Sequence, residues 1–503
     1  MPVTLQINPT NIKVIGSDPT VEAKLLDAFT WEDPKAKYMM KRHRMKHPDP
    51  ARFKWCHLCR TEGRVTLYRN HYLPIGFRPR LEGLLQEWGV SYQVNDCRTA
   101  KTERQYQWSH DFDLRPYQQD IIDRMLAQGS GVIESPTGSG KTVLAAVAVC
   151  ELGLPTVLVV PTKVIFQQFM ETFQKHTDIP IGQIASGKYE EAPVQICICK
   201  SLLDADNMPH TALMDKQVLI CDEVHQSASK QWEAVVNACP AYHRFGFSAT
   251  PFRATDLECA ILNGIAGNII ATVTTTDLQD EGYLCQTDIK MIPVAVSYDR
   301  SIYDETIPEG QKEPIGWRET TFAERYRQGI VENLFRNDMI AELVQHHYQA
   351  GDKVLVIISW TDHAAELLPM LPKDTIFLSG KDTAKKTKDK VTEYKERQGG
   401  VLLGSPVVDV GLDVPACDVV VMAGGGSYEG RQRQRLGRGL RPSPGKDYVT
   451  IYDFQDDDRD TGGRPMFWQH SKARVKAYKE VGQAVSTVES VAAALSKELT
   501  LGV

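Results

Sequence analysis

Ser135-Pro136-Thr137-Gly138-Ser139-Gly140-Lys141-Thr142 is the stretch whose reading decides the fold. The apolar run Gly131-Val132-Ile133 before it reads as a buried strand, and the Ala- and Val-rich segment Val143 to Leu152 after it reads as a helix. Strand, Gly-rich turn and helix is the setting in which a phosphate-binding loop works. Backbone N–H groups of Thr137-Gly138-Ser139-Gly140, after Pro136, then converge on an anion, and the helix N-terminus adds positive potential. In such a loop Lys141 brings a point charge to the β- and γ-phosphates, and Thr142 offers its hydroxyl to Mg²⁺. Ser135 stands at the first position, where a glycine is usual.

Downstream, the strand-like run Val218-Leu219-Ile220-Cys221 leads straight into Asp222-Glu223-Val224-His225. An acidic pair at a strand's C-terminal end sits where an open α/β sheet binds ligands. Asp222 can hold the Mg²⁺ water shell, and Glu223 can polarise a water that attacks the γ-phosphate. Two pieces of nucleotide chemistry thus follow one another along the chain.

At 503 residues the chain is long enough for about three domains. Its 42% hydrophobic and 24% charged content are those of an ordinary globular protein. A formal charge of −6 argues against a uniformly basic nucleic-acid coat protein and leaves room for a local basic groove. The 11 cysteines include Cys197, Cys199, Cys221 and Cys285 in apolar strands and form no small-domain disulfide framework, which fits a reducing compartment. The first residues lack a basic-then-apolar signal pattern, and no apolar run approaches the roughly 20 residues of a membrane span. The expectation is a cytoplasmic protein with no membrane partner.

From Lys35 to Arg80, thirteen Lys/Arg stand against Asp49 and Glu62, a local net of +11. Tyr38, Phe53, Trp55, Tyr68, Tyr72 and Phe77 are interleaved with those charges, which suggests phosphate contacts with aromatics free to stack on bases. Gly63 to Tyr68 alternates like a strand, and Asn95 to His110 reads as a polar linker. From Leu114 to about Leu284, apolar strands alternate with helical patterns, as a parallel sheet requires. The alternation restarts at Val354-Leu355-Val356-Ile357-Ile358 and runs to about Phe454, after a connecting region near 286–350. The tail begins acidic at Asp456-Asp457-Asp458 and ends with Val485, Val488, Val491, Ala492 and Leu495 at helical spacing. The expected division is 1–105, 106–285, 286–455 and 456–503.

Further blocks complete a pattern. Leu114-Arg115-Pro116-Tyr117-Gln118-Gln119 precedes the phosphate loop, where an amide can read an adenine edge. Pro161-Thr162-Lys163 follows Val157 to Val160, and Ser248-Ala249-Thr250-Pro251 follows Gly246-Phe247. In the second half stand Gly411-Leu412-Asp413-Val414-Pro415 and Gln434-Arg435-Leu436-Gly437-Arg438-Gly439-Leu440-Arg441.

With the phosphate loop and the acidic pair in their places, the blocks in order resemble the motif set of superfamily 2 helicases and translocases, the Q-motif, I, Ia, II as a DEVH box, III, V and VI, over about residues 113–455. Within it the chain looks like the group of the UvsW and XPB helicases; Asp277-Leu278 through Tyr283-Leu284 and the run Gly63 to Gly76 support this. His470, Arg474 and Tyr478 also fit that group's C-terminal pattern. The resemblance implies two tandem RecA-like parallel-sheet domains, an α/β fold, with a small α+β N-terminal domain and a helical C-terminal tail. It implies ATP and Mg²⁺ as cofactors, with Arg115, Gln118, the loop residues, Gly411 and Asp413 around the nucleotide. Lys141, Asp222, Glu223, Gln434, Arg438 and Arg441 are the implied catalytic set. Arg438 and Arg441 would reach the γ-phosphate from the second domain as arginine fingers do. His225, Ser248 and Thr250 would couple the cleft to nucleic acid, with Pro161, Thr162, Lys163, Lys54, Arg60 and Arg64 as its contacts. Motif V departs from the family pattern at Gly404-Ser405-Pro406-Val407-Val408-Asp409.

Cys56-His57-Leu58-Cys59 after His43 and His47 approaches a two-His two-Cys zinc set, but a lone CxxC reads first as free thiols beside basic-patch histidines. The leading functional expectation is an ATP-dependent DNA helicase or translocase, a monomeric motor acting on branched DNA, with RNA–DNA hybrids among its allowed substrates. An RNA helicase, a restriction-type translocase and an ATP-gated binding protein that remodels without unwinding are the alternatives.

Overall fold

The computed structural model describes residues 2–33, 63–98, 103–224, 230–249, 256–304, 316–404, 417–426, 448–462 and 464–496. It falls into two compact units, Met1–Ser135 with Gly140–Val273 and Thr274–Val503 with the short segment Pro136–Ser139.

The first unit opens with a four-stranded sheet in the order Tyr72–Pro74, Asn11–Ile15, Val3–Ile7, Tyr92–Asp96. The first three strands pair antiparallel, and Val3–Ile7 pairs parallel with Tyr92–Asp96. Alternation along Val3–Ile7 turns Val3, Leu5 and Ile7 inward onto the helices Pro19–Ala28 and Arg78–Glu87, which bury Leu25, Leu81 and Leu85. Asp18 caps the first of these helices by accepting from the Val21 N–H at 2.9 Å. Ala260, on the helix Asp256–Ala266, is part of this same core, so the small sheet is packed onto the domain that follows it.

That next domain holds an eight-stranded sheet. Its order is Lys188–Glu190, Ile181–Ala185, Val194–Ile198, Thr156–Val160, Val218–Asp222, His243–Ser248, Ser130–Glu134, Ile269–Thr272. Every pairing after the first is parallel. The strand Thr156–Val160 is buried at all five positions and the helix Lys141–Leu152 from Leu144 to Cys150, as expected where helices cover both faces of a parallel sheet. Cys197 in the strand Val194–Ile198, Cys199 in the turn just after it and Cys221 in Val218–Asp222 are free thiols. Burial pushes Cys197 and Cys199 up to about 12, so they act as small apolar core groups.

The second unit carries a seven-stranded, wholly parallel sheet in the order Ile376–Leu378, Gly400–Gly404, Lys353–Ile357, Val419–Met422, Tyr448–Asp457, Gln286–Ala295, Val485–Thr487. Two expectations change here. The region read as a connection from 286 begins with a ten-residue strand of this sheet, missed because Asp288, Lys290 and Pro293 break up its apolar pattern. Lys290 is buried there, its Nζ donating to the Ala494 carbonyl at 2.9 Å. The tail's helical spacing is half right: Val485 lies on an edge strand, and the helix is the short Val491–Ser496. The tail is therefore part of the second domain's core, where Val488, Val491 and Ala494 are buried. A chain ending at Gln483 is expected to lose about 3 kcal/mol or more from the two buried valines alone, read as a lower chemical-denaturation midpoint.

Candidate nucleotide site

Parallel pairing brings the sequence blocks to one end of the first sheet. Asp222 is in register with Phe247, and Ser248 with Glu134, so the acidic pair, Ser248 and the phosphate loop leave three neighbouring strands at their C-terminal edge. The Ser135 N–H donates to the Ser248 carbonyl at 2.9 Å, which ties the first loop residue to the motif III serine. Ser135, Asp222, Glu223 and Ser248 are all buried.

The loop itself turns on Gly138 and Gly140, with φ of +92° and +86°. Only glycine adopts this readily, and at Gly140 space demands it too. A Cβ there would lie 2.4 Å from Gln118 Nε2. Gln118 is buried and its amide oxygen accepts the Arg115 N–H at 3.0 Å, closing the first turn of the helix Pro116–Gln128. The Q-motif glutamine is thus packed on the phosphate loop. A separate cavity of about 510 Å³, between the helices Pro116–Gln128 and Lys141–Leu152, is lined by His110, Phe112, Leu114, Gln119, Asp123 and Val147, among others, and by no residue of the phosphate loop.

Lys141 Nζ lies 3.6 Å from Glu223 Oε1, with both side chains nearly buried. That ammonium has no hydrogen-bond partner among the described residues. Glu223 balances the charge of this ammonium without accepting a hydrogen bond from it, which leaves its donors open to a further acceptor, so the residues present fit a phosphate group held against Lys141. Glu223 itself has φ +50°, in the left-handed region that a non-glycine residue enters at a cost of about 1–3 kcal/mol. Such strain is held in place by its surroundings, and here the surroundings are visible. Gly246, in the strand His243–Ser248, is so close to Val224 that a Cβ would meet its side chain at 2.8 Å.

Pro161, Thr162 and Lys163 follow the strand Thr156–Val160 at the same edge of the sheet. Thr162 caps the helix Lys163–His176, accepting from the Ile165 N–H at 3.4 Å, and Lys163 is exposed. Arg64 is exposed on the strand Arg64–Thr66, opposite Glu32. The basic stretch's aromatics are corrected by the structure. Tyr68 and Phe77 are buried, Phe77 against Phe29 and Trp31 at ring-centroid distances of 5.3 and 5.8 Å, because a small domain needs its large side chains for a core. Among the described aromatics of that stretch, Tyr72 is the exposed one. Lys54, Arg60, His225, Thr250, Gly411, Asp413, Gln434, Arg438, Arg441 and the His43, His47, Cys56 and Cys59 set lie outside the described residues.

Two features escaped the sequence reading. Gly246 between Phe245 and Phe247 carried a legible signal, since an isolated strand glycine marks a close approach. Arg244 carried none. It is fully buried and donates to the carbonyls of Val236, Cys239 and Ile265 at 2.8, 2.9 and 3.0 Å, anchoring the ends of the helices Lys230–Ala238 and Asp256–Ala266.

Comparison with known proteins agrees with this arrangement. Residues 111–253 match the model of the Type III restriction enzyme res subunit, and residues 336–443 match the Helicase conserved C-terminal domain. The Rad25 protein of Haloarcula marismortui is 29% identical over 366 residues, covering 70% of this chain and 54% of that protein. The DNA 3'-5' helicase XPB of Kineococcus radiotolerans is 26% identical over 339 residues, covering 65% of this chain and 57% of its own length. The chain spans a little over half the length of these relatives. In fold, S. cerevisiae Dbp5 bound to RNA and ADP BeF3 superposes with a TM-score of 0.52 at 15% identity, over 76% of this chain and 92% of Dbp5. Among the described residues, no helix is long and apolar enough to cross a membrane.

If Gly246 sets Glu223 through Val224, Gly246→Ala should lower ATP turnover by up to about 10²-fold, as displacements near 1 Å at a reacting group can do. Steady-state ATPase assays beside thermal unfolding check this, with the melting temperature expected to fall only by the few degrees that about 1–3 kcal/mol of overpacking costs, leaving the protein folded at the assay temperature.

Proposed function

We propose that this chain, whose two helicase domains are those of superfamily 2, is an ATP-dependent DNA helicase or translocase that remodels branched DNA such as forks, four-way junctions or R-loops. One observation carries the ATPase half of the reading: the buried ammonium of Lys141 beside Glu223 at the strand ends, with Gly138 and Gly140 shaping the loop. Mg²⁺–ATP, when bound, supplies a γ-phosphoryl group whose transfer to water drives the motor. Lys141 and the loop N–H groups hold the phosphates, Thr142 and Asp222 hold the metal, and Glu223 orients the water. Arg438 and Arg441, from the second domain, stabilise charge on the leaving phosphates. Gln434 stands with them, and Arg115, Gln118, Gly411 and Asp413 complete the nucleotide's surroundings. Closure on ATP and opening after hydrolysis become a stroke, which Ser248, Thr250 and His225 pass to DNA lying on Pro161, Thr162 and Lys163. The names of the relatives, DNA 3'-5' helicase among them, support DNA as the track.

The decisive measurement is ATPase rate with single-stranded, duplex, forked, four-way-junction and RNA–DNA hybrid substrates. A motor is strongly stimulated by its own substrate, whereas a binding switch barely responds. Lys141→Ala should abolish turnover. Arg438→Ala and Arg441→Ala should each lose about 10³-fold or more with little change in nucleotide affinity. Loss confined to nucleotide binding would contradict the finger role.

We assign the choice of branched DNA to the N-terminal basic stretch. Cutting that domain off would uncover Ala260 of the first motor domain, so charge reversal is the cleaner test. The triple change Lys54→Glu, Arg60→Glu and Arg64→Glu should leave basal ATPase intact and weaken four-way-junction binding. The salt slope should fall by about 0.9 for each DNA phosphate no longer neutralised, measured by fluorescence anisotropy across a salt series. Equal affinity and an unchanged slope would make the stretch a solvated surface.

A further inference from the structure

The strand Val419–Met422 ends in Ala423-Gly424-Gly425-Gly426, which leads by chain continuity into the segment bearing Gln434, Arg438 and Arg441. Three side chains from three separate helices grip the carbonyls of this turn. The Tyr326 hydroxyl, at the end of the helix Phe322–Tyr326, donates to the Gly424 carbonyl. Arg336 Nη1, from the helix Leu334–Ala350, donates to the Ala423 carbonyl at 2.7 Å. Arg474 Nη1, from the helix Met466–Glu480, donates to the Gly426 carbonyl at 2.8 Å.

Both guanidiniums are buried, and both are held from behind by the strand Tyr448–Asp457. They share Asp456: Arg336 Nε meets its Oδ1 at 2.9 Å and Arg474 Nη2 its Oδ2 at 3.1 Å. Arg474 Nε also meets Asp453 Oδ2 at 2.9 Å, and the Tyr478 hydroxyl donates to the same oxygen at 2.6 Å. Two cations therefore face two carboxylates. A buried ion network is poor evidence for stability, because apolar packing of similar volume often serves as well; its attested use is to specify one geometry. Here one outer amino group of each arginine goes to the turn rather than to a carboxylate. A run of three glycines has little stiffness of its own, so its shape has to be imposed from outside.

We propose that Tyr326, Arg336 and Arg474 are positioning residues for ATP hydrolysis, locking the turn from which the motif VI arginines depart. This rests on the arginine-finger reading of Arg438 and Arg441. Groups that act on a transferring phosphoryl must be held to within about 0.5 Å. The C-terminal helix thereby governs turnover without touching the nucleotide.

The test uses the full chain with Tyr326→Phe, which removes one hydroxyl, and Arg474→Lys, which keeps the charge and loses the fork. ATP kcat and KM, the melting temperature and amide exchange in peptides spanning 417–426 and 466–480 are measured for each. In Tyr326→Phe, kcat should fall about tenfold or more on the scale of small misplacements at a reacting group. Its KM should stay within about twofold, and exchange should rise in 417–426 while 466–480 keeps its protection. Arg474→Lys should lower kcat further, with exchange rising in 466–480 as well because its helix also loses bonds to Asp453 and Asp456; Tyr326→Phe, which leaves those bonds in place, is the variant that decides. An unchanged kcat in Tyr326→Phe overturns the proposal, as does a loss in that variant that comes with deprotection of 466–480, which would mark a domain-stability role. Arg441→Ala, run alongside, separates the two readings. Normal turnover there sinks the finger assignment itself, whereas a dead Arg441→Ala beside a normal Tyr326→Phe sinks the clamp alone.

Discussion

Parallel pairing of the strands Ser130–Glu134, His243–Ser248 and Val218–Asp222 is the constraint on which the nucleotide site depends. In a parallel sheet every strand ends at the same edge, so segments far apart in sequence are delivered to one place. The register then sets the detail. Ser135 bonds to the Ser248 carbonyl because those two strands run in step, and Lys141 comes within 3.6 Å of Glu223 across the same edge. Slipping one strand by a single residue would swap the side chains packed on its two covered faces and displace the residues at its end.

Close backbone approaches turn this alignment into chemistry. Gly140 admits the Gln118 amide against the phosphate loop, and Gly246 admits Val224 behind the acidic pair. At both points a methyl group's worth of volume separates contact from clash. Glu223 holds its left-handed backbone, φ +50°, next to the Val224 that Gly246 admits. The N-terminal sheet shares its core with the helix Asp256–Ala266, through Ala260, so the small domain is built into the domain of the eight-stranded sheet rather than tethered to it.

Buried arginines do comparable work in both units, by different means. Arg244 has three carbonyl acceptors and ties two helix ends together. Arg336 and Arg474 are balanced by Asp453 and Asp456, and each directs one outer amino group, Nη1, to a glycine-rich turn. A guanidinium suits these tasks because its donors are rigidly forked and stay charged when buried; burial and the two aspartates act in opposite directions on Arg474, and its pKa is raised.

The sequence by itself determined the parts whose cause is local. Glycine spacing in the phosphate loop, the apolar runs of the central strands and the acidic pair ending Val218–Asp222 each carry a periodicity or a steric need that can be read one segment at a time. The strand Gln286–Ala295 was not legible, because a buried Lys290 is tolerable only with the Ala494 carbonyl from the far end of the chain. Tyr68 and Phe77 looked like stacking surfaces among basic residues, and only the packing of a small core shows that they face inward. Arg244, Arg336 and Arg474 carry the same limit furthest. An arginine in a sequence reads as a surface charge, and what makes it a buried clamp is a set of carbonyls and carboxylates that come within reach only after the chain has folded.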